Sequence, residues 1–374
     1  MKVRCILSEA LRNITCGTSR AFAWFLAVMA VGALLGGYEA MTVVAQEREA
    51  SARIAAAADV STLVSTQAVV DGMACDRLAA MPGGPASSGA MRPGPQLTML
   101  ATPGRDVTSF AVTPGLLRVI TSDPESASTA ASDAVEGSDP AGVWVSDQLA
   151  ADFGLTRGSR FATTDGETTV AGVYAWPNDG RDTRFAYAVL TPASADAEPF
   201  HECWARQWPS DAGLDALLLS TLIARTGDIG GAPPAGVTSL NRSFDRRYDA
   251  NALYAARITR LLPFVAAGVG MLIGAASVWR RRLEYAGALH SGQRKGEQLL
   301  GVAVETLIWI GLGAVSGIGV IAAVCWTLAP SGPALVALAA VRAPMMAFAG
   351  SLVAALAAAA PIRESQLFRY FKTR

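Results

Sequence analysis

Hydrophobic and polar positions along this chain fall into two regimes. Four stretches are almost continuously apolar: Ala21 to about Val44, Leu261 to Trp279, Leu299 to Leu328, and about Ala343 to Ala360. Each approaches the roughly 20 residues, at about 1.5 Å rise apiece, that carry a helix across a bilayer. Before the first, Val3, Ile6, Leu7, Ala10, Leu11 and Ile14 recur at the spacing of one helical face, with Lys2, Arg4 and Arg12 on the others. This predicts an amphipathic helix lying on the membrane surface, a disordered basic leader being the alternative.

Between the first and second stretches the period shortens. The runs "LVSTQAVV", "QLTMLAT", "GVWVS", "ETTVAGVYAW" and "FAYAVL" alternate or are β-branched, whereas "MACDRLAAM", "SDQLAADFG" and "GLDALLLSTLIART" have helical spacing. An α+β domain follows. "EREASARIAAAADVSTLV" reads as a helix prolonging the first span, and "FDRRYDANALYAARITRLLPF" as a matching helix leading into the second. The tracts Pro82 to Gly94 and Ser122 to Gly142, rich in Gly, Pro and Ser or in acids, read as surface loops.

The fold class is therefore a membrane protein, with four transmembrane α-helices and an α+β extracytoplasmic domain inserted between spans 1 and 2. The expected segments are 1–20 (surface helix), 21–44 (span 1), 45–260 (outer domain with helical stalks), 261–279 (span 2), 280–298 (inner loop), 299–328 (span 3), 329–342 (outer loop), 343–360 (span 4) and 361–374 (tail). A mean hydropathy of +0.32, with 51% hydrophobic residues, agrees.

Charge sets the orientation. Residues 1–20, 280–298 and 361–374 together hold 13 Lys or Arg against four acids, while 46–259 hold 16 Arg, no Lys and 25 Asp or Glu. Short basic loops stay in the cytoplasm and a long domain crosses largely regardless of its charge, so both termini are expected inside and 45–260 outside the cell membrane. A signal peptide cleaved after Ala45 is the alternative for the first stretch. Cys75 and Cys203 are then the only cysteines outside, a candidate disulfide or else two separately buried thiols.

Candidate chemistry is sparse. Nothing matches G-x-x-x-x-G-K-[ST], so no phosphate-cradling loop is present. The two histidines, His201 and His290, fall on opposite sides of the membrane, which argues against a His-based triad or multi-His metal site. "FHECW" places His201, Glu202 and Cys203 on adjacent positions that face opposite ways on a strand. No catalytic residue and no metal site is assigned, and nothing suggests nucleic-acid binding. Glycines four apart, Gly32 and Gly36, Gly270 and Gly274, Gly313 and Gly317, suit close helix packing in lipid. Charged Glu39, Glu305 and Arg342 lie in or at the edge of spans, where Glu305 could pair with the basic loop or serve transport.

The inner loop carries a family resemblance. "EYAGALHSGQRKGEQLLGVAVETLIWIGLGAVSG" (Glu284 to Gly317) resembles the loop and third span of MacB/FtsX-like ABC transporter permeases, with Gly292 at the family's glycine. "VWVSDQLAADFGLTRGSRFATTDGETTVAGVYAWP" resembles their outer core domain, and "ALAAAAPIRES" the end of their fourth span at Pro361 and Arg363. The chain departs at Leu289-His290-Ser291, where the family has Arg-Ala-Leu, and in its tail "QLFRYFKTR".

The resemblance implies a non-enzymatic permease subunit that works with a separate ABC ATPase, which would hold ATP and Mg, and with a second permease copy, identical or paralogous. "RLEYAGALHSG" itself reads as a short helix bearing Leu283, Tyr285, Ala286 and Leu289 and stopped by Gly292. The expected coupling residues are Leu283, Glu284, Tyr285, Leu289, Gly292, Arg294 and Lys295. An FtsX-like regulator of a cell-wall hydrolase is one alternative, and a membrane-anchored receptor without an ATPase another.

Overall fold

In the computed structural model, which describes residues 3–67, 69–121, 142–209, 211–223, 235–246, 248–329 and 332–372, secondary structure follows the two regimes of the sequence. In chain order, helices α1 (Val3–Thr15) and α2 (Ala21–Ala55) are followed by β1 (Val60–Ser65), α3 (Gly72–Arg77), β2 (Ser87–Pro93), β3 (Leu97–Thr98), β4 (Asp106–Val112) and α4 (Pro114–Thr121). Next come β5 (Val143–Ser146), α5 (Asp147–Phe153), β6 (Arg160–Thr163), β7 (Gly166–Tyr174), β8 (Ala188–Pro192), β9 (Glu202–Arg206), α6 (Gly213–Leu219) and β10 (Ala235–Ser239). The remainder is helical: α7 (Ala250–Ala256), α8 (Leu262–Trp279), α9 (Arg282–His290), α10 (Lys295–Leu328), α11 (Pro333–Ala340), α12 (Arg342–Ala359) and α13 (Leu367–Lys372).

The chain divides into two compact units, Glu49–Asn251 and the residues on either side of it. Among the described residues, four helices are long and apolar enough to cross a membrane: Ala21–Ala55, Ala250–Trp279, Lys295–Leu328 and Pro333–Ala359. In the helical unit, Val28 packs with Trp309 and Ile310, while Ala40 and Val44 pack with Ile321, Cys325 and Val336. Small residues make the closest approach. Ala266 meets Ala343 and Ala347, and Gly270, Gly274 and Gly350 let the backbones of α8 and α12 come together.

In the other unit the strand order is β10-β1-β9-β2-β4-β8-β5-β7-β6, with β3 paired to β4. The bridge Met99↔Thr163 and the bonds from Leu100 N to Ala162 O (3.2 Å) and Thr164 N to Thr98 O (3.0 Å) also join β3 to β6. Strands β4, β8, β5, β7, β6 and β3 thus close into a ring, which removes exposed sheet edges. Val107, Val145, Phe161, Val170 and Val189 pack there with Leu149 of α5. Ser146 starts α5 by accepting from Leu149 N, and Gly154 ends it at φ 62°. A second core holds Trp144, Trp176, Trp204, Phe110 and Phe185, whose Phe110 and Phe185 rings stack at 4.6 Å. A third surrounds the Cys75–Cys203 disulfide, which ties α3 to β9.

Several expectations need correction. Pro82 to Gly94 is not a surface loop, because β2 lies inside it between β9 and β4. Its Ser-Ser-Gly-Ala sequence looks like a turn, but at Gly89 a side chain would collide with the backbone of Leu116, so small residues there serve close packing. The first stalk stops being helical after Ala55, and "VSTLV" is β1. β-branched residues prefer the pleated surface. The second stalk is interrupted at Arg257, which is extended (ψ 132°), and α8 begins with Pro263 in its first turn. The segment 329–342 contains α11 rather than only a loop. Of Ser122 to Gly142, all but the last residue lie outside the described residues.

Candidate functional site

The inner loop forms α9, and its sequence explains both its ends and its seat. Ser291 and Gly292 end it, Gly292 at φ 96°, in the left-handed region that glycine tolerates. Ala286 is fully buried among Val278, Val302, Ala355, Ala359 and Ile362, and Tyr285 and Leu289 pack against the same cluster. A nine-residue helix is thereby clamped to the ends of α8, α10 and α12 together.

Charges complete the clamp. Arg281 bonds Glu305 through Nη1 and Glu284 through Nε (2.8 Å), while Asn13 of α1 donates Nδ2 to Glu305 Oε1 at 2.7 Å. The Arg281 and Glu305 side chains are only 11% and 9% exposed. A buried carboxylate is costly unless paired and hydrogen-bonded, and Glu305 is both. Lys295 Nζ donates to the carbonyl oxygens of Ala359 (3.0 Å) and Ile362 (2.5 Å) and to Gln298 Oε1. It binds where α12 leaves carbonyls without helical partners and where the helix dipole favours a cation.

The residues named from sequence therefore separate into two sets. Tyr285, Leu289 and Lys295 face the helical unit, and Leu283 is half-buried. Glu284, Gly292 and Arg294 are exposed, together with His290 and Ser291. Arg294 N donates to Glu297 Oε2 (3.1 Å), which fastens the start of α10. The contributions of Asn13 and Arg281 were not legible. Asn13 lies 292 residues from its partner, and Arg281 looked like one of three equivalent anchors.

The glycine pairs sit at helix contacts. A Cβ at Gly270 would lie 3.0 Å from Ala347 Cα, one at Gly274 2.8 Å from the Ser351 carbonyl carbon, and one at Gly313 2.9 Å from Phe25 O. Gly317 is looser, its nearest neighbour Met29 O at an ordinary 3.4 Å.

In the sheet unit, "FHECW" is structural. Glu202 accepts from Arg184 Nη1 (2.8 Å) and Trp204 Nε1 (2.9 Å), and Cys203 is in the disulfide. Among the described residues no group of three or more His, Cys, Asp or Glu could hold a metal ion. Compared with known proteins, the chain matches no protein-family model, and no curated protein matches it.

Proposed function

We propose that this chain is the membrane subunit of a MacB/FtsX-type ABC system, embedded in the cell membrane with both termini inside and the sheet unit outside. On this reading a separate ATPase holds ATP and Mg, two permease copies assemble in the bilayer, and motion of the ATPase reaches the outer unit to export or extract a substrate. The observation that carries it is the seat of α9. One short helix is wedged against the ends of α8, α10 and α12 and linked through Glu305 to α1, so a force on α9 moves these helices as a set.

The exposed edge, Glu284, His290, Ser291, Gly292 and Arg294, is the surface an ATPase would grip. Tyr285 and Leu289 transmit force inward rather than touching the partner. The test is affinity purification of the full chain from its native membranes, with bound proteins identified by mass spectrometry. Wild type should bring down an ABC ATPase. The His290→Glu/Arg294→Glu variant, altered only at exposed positions, should keep its melting temperature and lose the ATPase. An ATPase retained by this variant refutes the grip, and none recovered with wild type favours a receptor.

A further inference from the structure

At the end of the helical unit opposite α9, three arginines and an acid line one cleft of about 280 Å³: Arg257, Arg260, Arg342 and Glu39, beside Phe264 and Met346. Charges at helix ends in lipid need partners. Glu39 has one, since Arg257 Nε lies 2.9 Å from its Oε1, the two side chains being 5% and 7% exposed. Arg257 also covers the Tyr254 ring, 3.7 Å from the guanidinium to its centroid. That pair is electrically neutral.

Arg260 and Arg342 are different. Arg260 Nη1 donates to the Ala255 carbonyl (2.8 Å), and the Arg342 side chain makes no hydrogen bond or ion pair with any described residue. They come from different helical segments and line the same cleft, whose acid, Glu39, is already bonded to Arg257. A single arginine can reach water by snorkelling, but two guanidiniums sharing one cleft repel unless an anion joins them. The rest of the lining is apolar, from Pro263, Phe264, Ala339 and Met346, and Phe264 is 67% exposed. A cationic cleft inside an apolar rim matches an amphiphile with an anionic head.

We propose that Arg260 and Arg342 hold the phosphate of an anionic phospholipid, whose acyl chains lie along the apolar rim formed by Phe264 and Met346. The planar guanidinium forks suit phosphate oxygens geometrically. A soluble phosphate would use the charge and not the rim. A phosphatidylcholine would bring a fixed quaternary ammonium that both arginines repel. The inference needs the four helices to lie in a membrane and is independent of an ATPase.

The test uses the full chain, stripped of lipid in detergent and then given phosphatidylglycerol, phosphatidylcholine or inorganic phosphate. Native mass spectrometry counts retained lipid, and the melting temperature is read alongside. Phosphatidylglycerol should be retained and raise the melting temperature, with binding weakened about tenfold or more in Arg260→Gln/Arg342→Gln and unchanged in Arg280→Gln, on the other side. If the double variant does not fold, Arg342→Gln alone, at an exposed and unpartnered side chain, decides the matter. Equal retention of phosphatidylcholine, equal stabilisation by inorganic phosphate, or full retention of phosphatidylglycerol by Arg342→Gln each overturns the proposal. ATPase recovery should be the same in these variants as in wild type, which separates a failure here from a failure of the ATPase grip.

Discussion

Replacing Gly274 by alanine tests whether backbone approach between α8 and α12 holds the helical unit together. Alanine is the better helix former by about 1 kcal/mol, so helix propensity alone predicts stabilisation. Packing predicts the reverse. The new Cβ would sit 2.8 Å from the Ser351 carbonyl carbon, against 3.4 Å for ordinary contact, so the helices must part by at least ~0.6 Å. A gap of that order forfeits roughly a quarter or more of the dispersion attraction along the seam. Gly270 and Gly350 share the seam, at 3.0 Å from Ala347 Cα and from the Ala267 carbonyl carbon respectively, so they lose contacts too. Overpacking of this kind costs about 1–3 kcal/mol. Taking about 3 against the 1 gained leaves a net loss of ~2 kcal/mol, or about 4–8 °C in melting temperature. The assay is thermal unfolding of the full chain in detergent, with Gly268→Ala as control on the same helix, where a Cβ meets nothing within 4 Å. The control should be neutral or stabilised. Equal melting temperatures for the two variants would refute the reasoning, because propensity would then outweigh the seam.

Other predictions concern buried charges. Arg281→Ala or Glu305→Ala alone should destabilise by roughly 3–5 kcal/mol, since each strands a buried charge, whereas Arg281→Met/Glu305→Leu should be milder than either. A double-mutant cycle on thermal unfolding checks this, and a coupling below about 0.5 kcal/mol would contradict it. In the sheet unit, Asp76 accepts from Thr113 Oγ1 (2.5 Å) and Gly115 N (3.3 Å), yet burial raises its carboxyl above the ordinary 3.8. The folded state therefore binds this proton more tightly than the unfolded one. Its contribution is fully present below pH 3.8 and is lost as pH rises through the raised value. Asp76→Asn should remove that downward slope, read as the difference between wild-type and variant stability across the acid range, and an unchanged slope would exclude Asp76 as its source.

Much of the architecture could be read from residue order. Long apolar runs leave few options in lipid, because a helix satisfies its own backbone. The α9 helix and its stop at Gly292 were also legible, since a left-handed position after a short amphipathic run has few other uses. What stayed hidden depended on neighbours distant in sequence. β2 reads as a turn until Leu116 is placed against Gly89. Tyr285 and Leu289 are apolar whether they face a partner or the spans, and spacing cannot distinguish the two. The acid partner of Arg281 could be suspected from the position of Glu305, but Asn13 could not.

The pairing of β1 with β10 has a consequence for how this chain is made. The first and last strands of the sheet unit are hydrogen-bonded neighbours, Ser61 opposite Ser239, and Thr62 Oγ1 donates to a carbonyl 176 residues further on. β9, which also pairs with β1, carries Cys203, 128 residues after its partner Cys75. β1 leaves the ribosome first and must wait, its edges unmatched, until β9 and β10 follow. Contacts this far apart in sequence make folding slow and leave a nascent segment open to mispairing. The sheet unit thus has an assembly deadline set by translation: β1 stays a lone strand until nearly the whole segment has been synthesised.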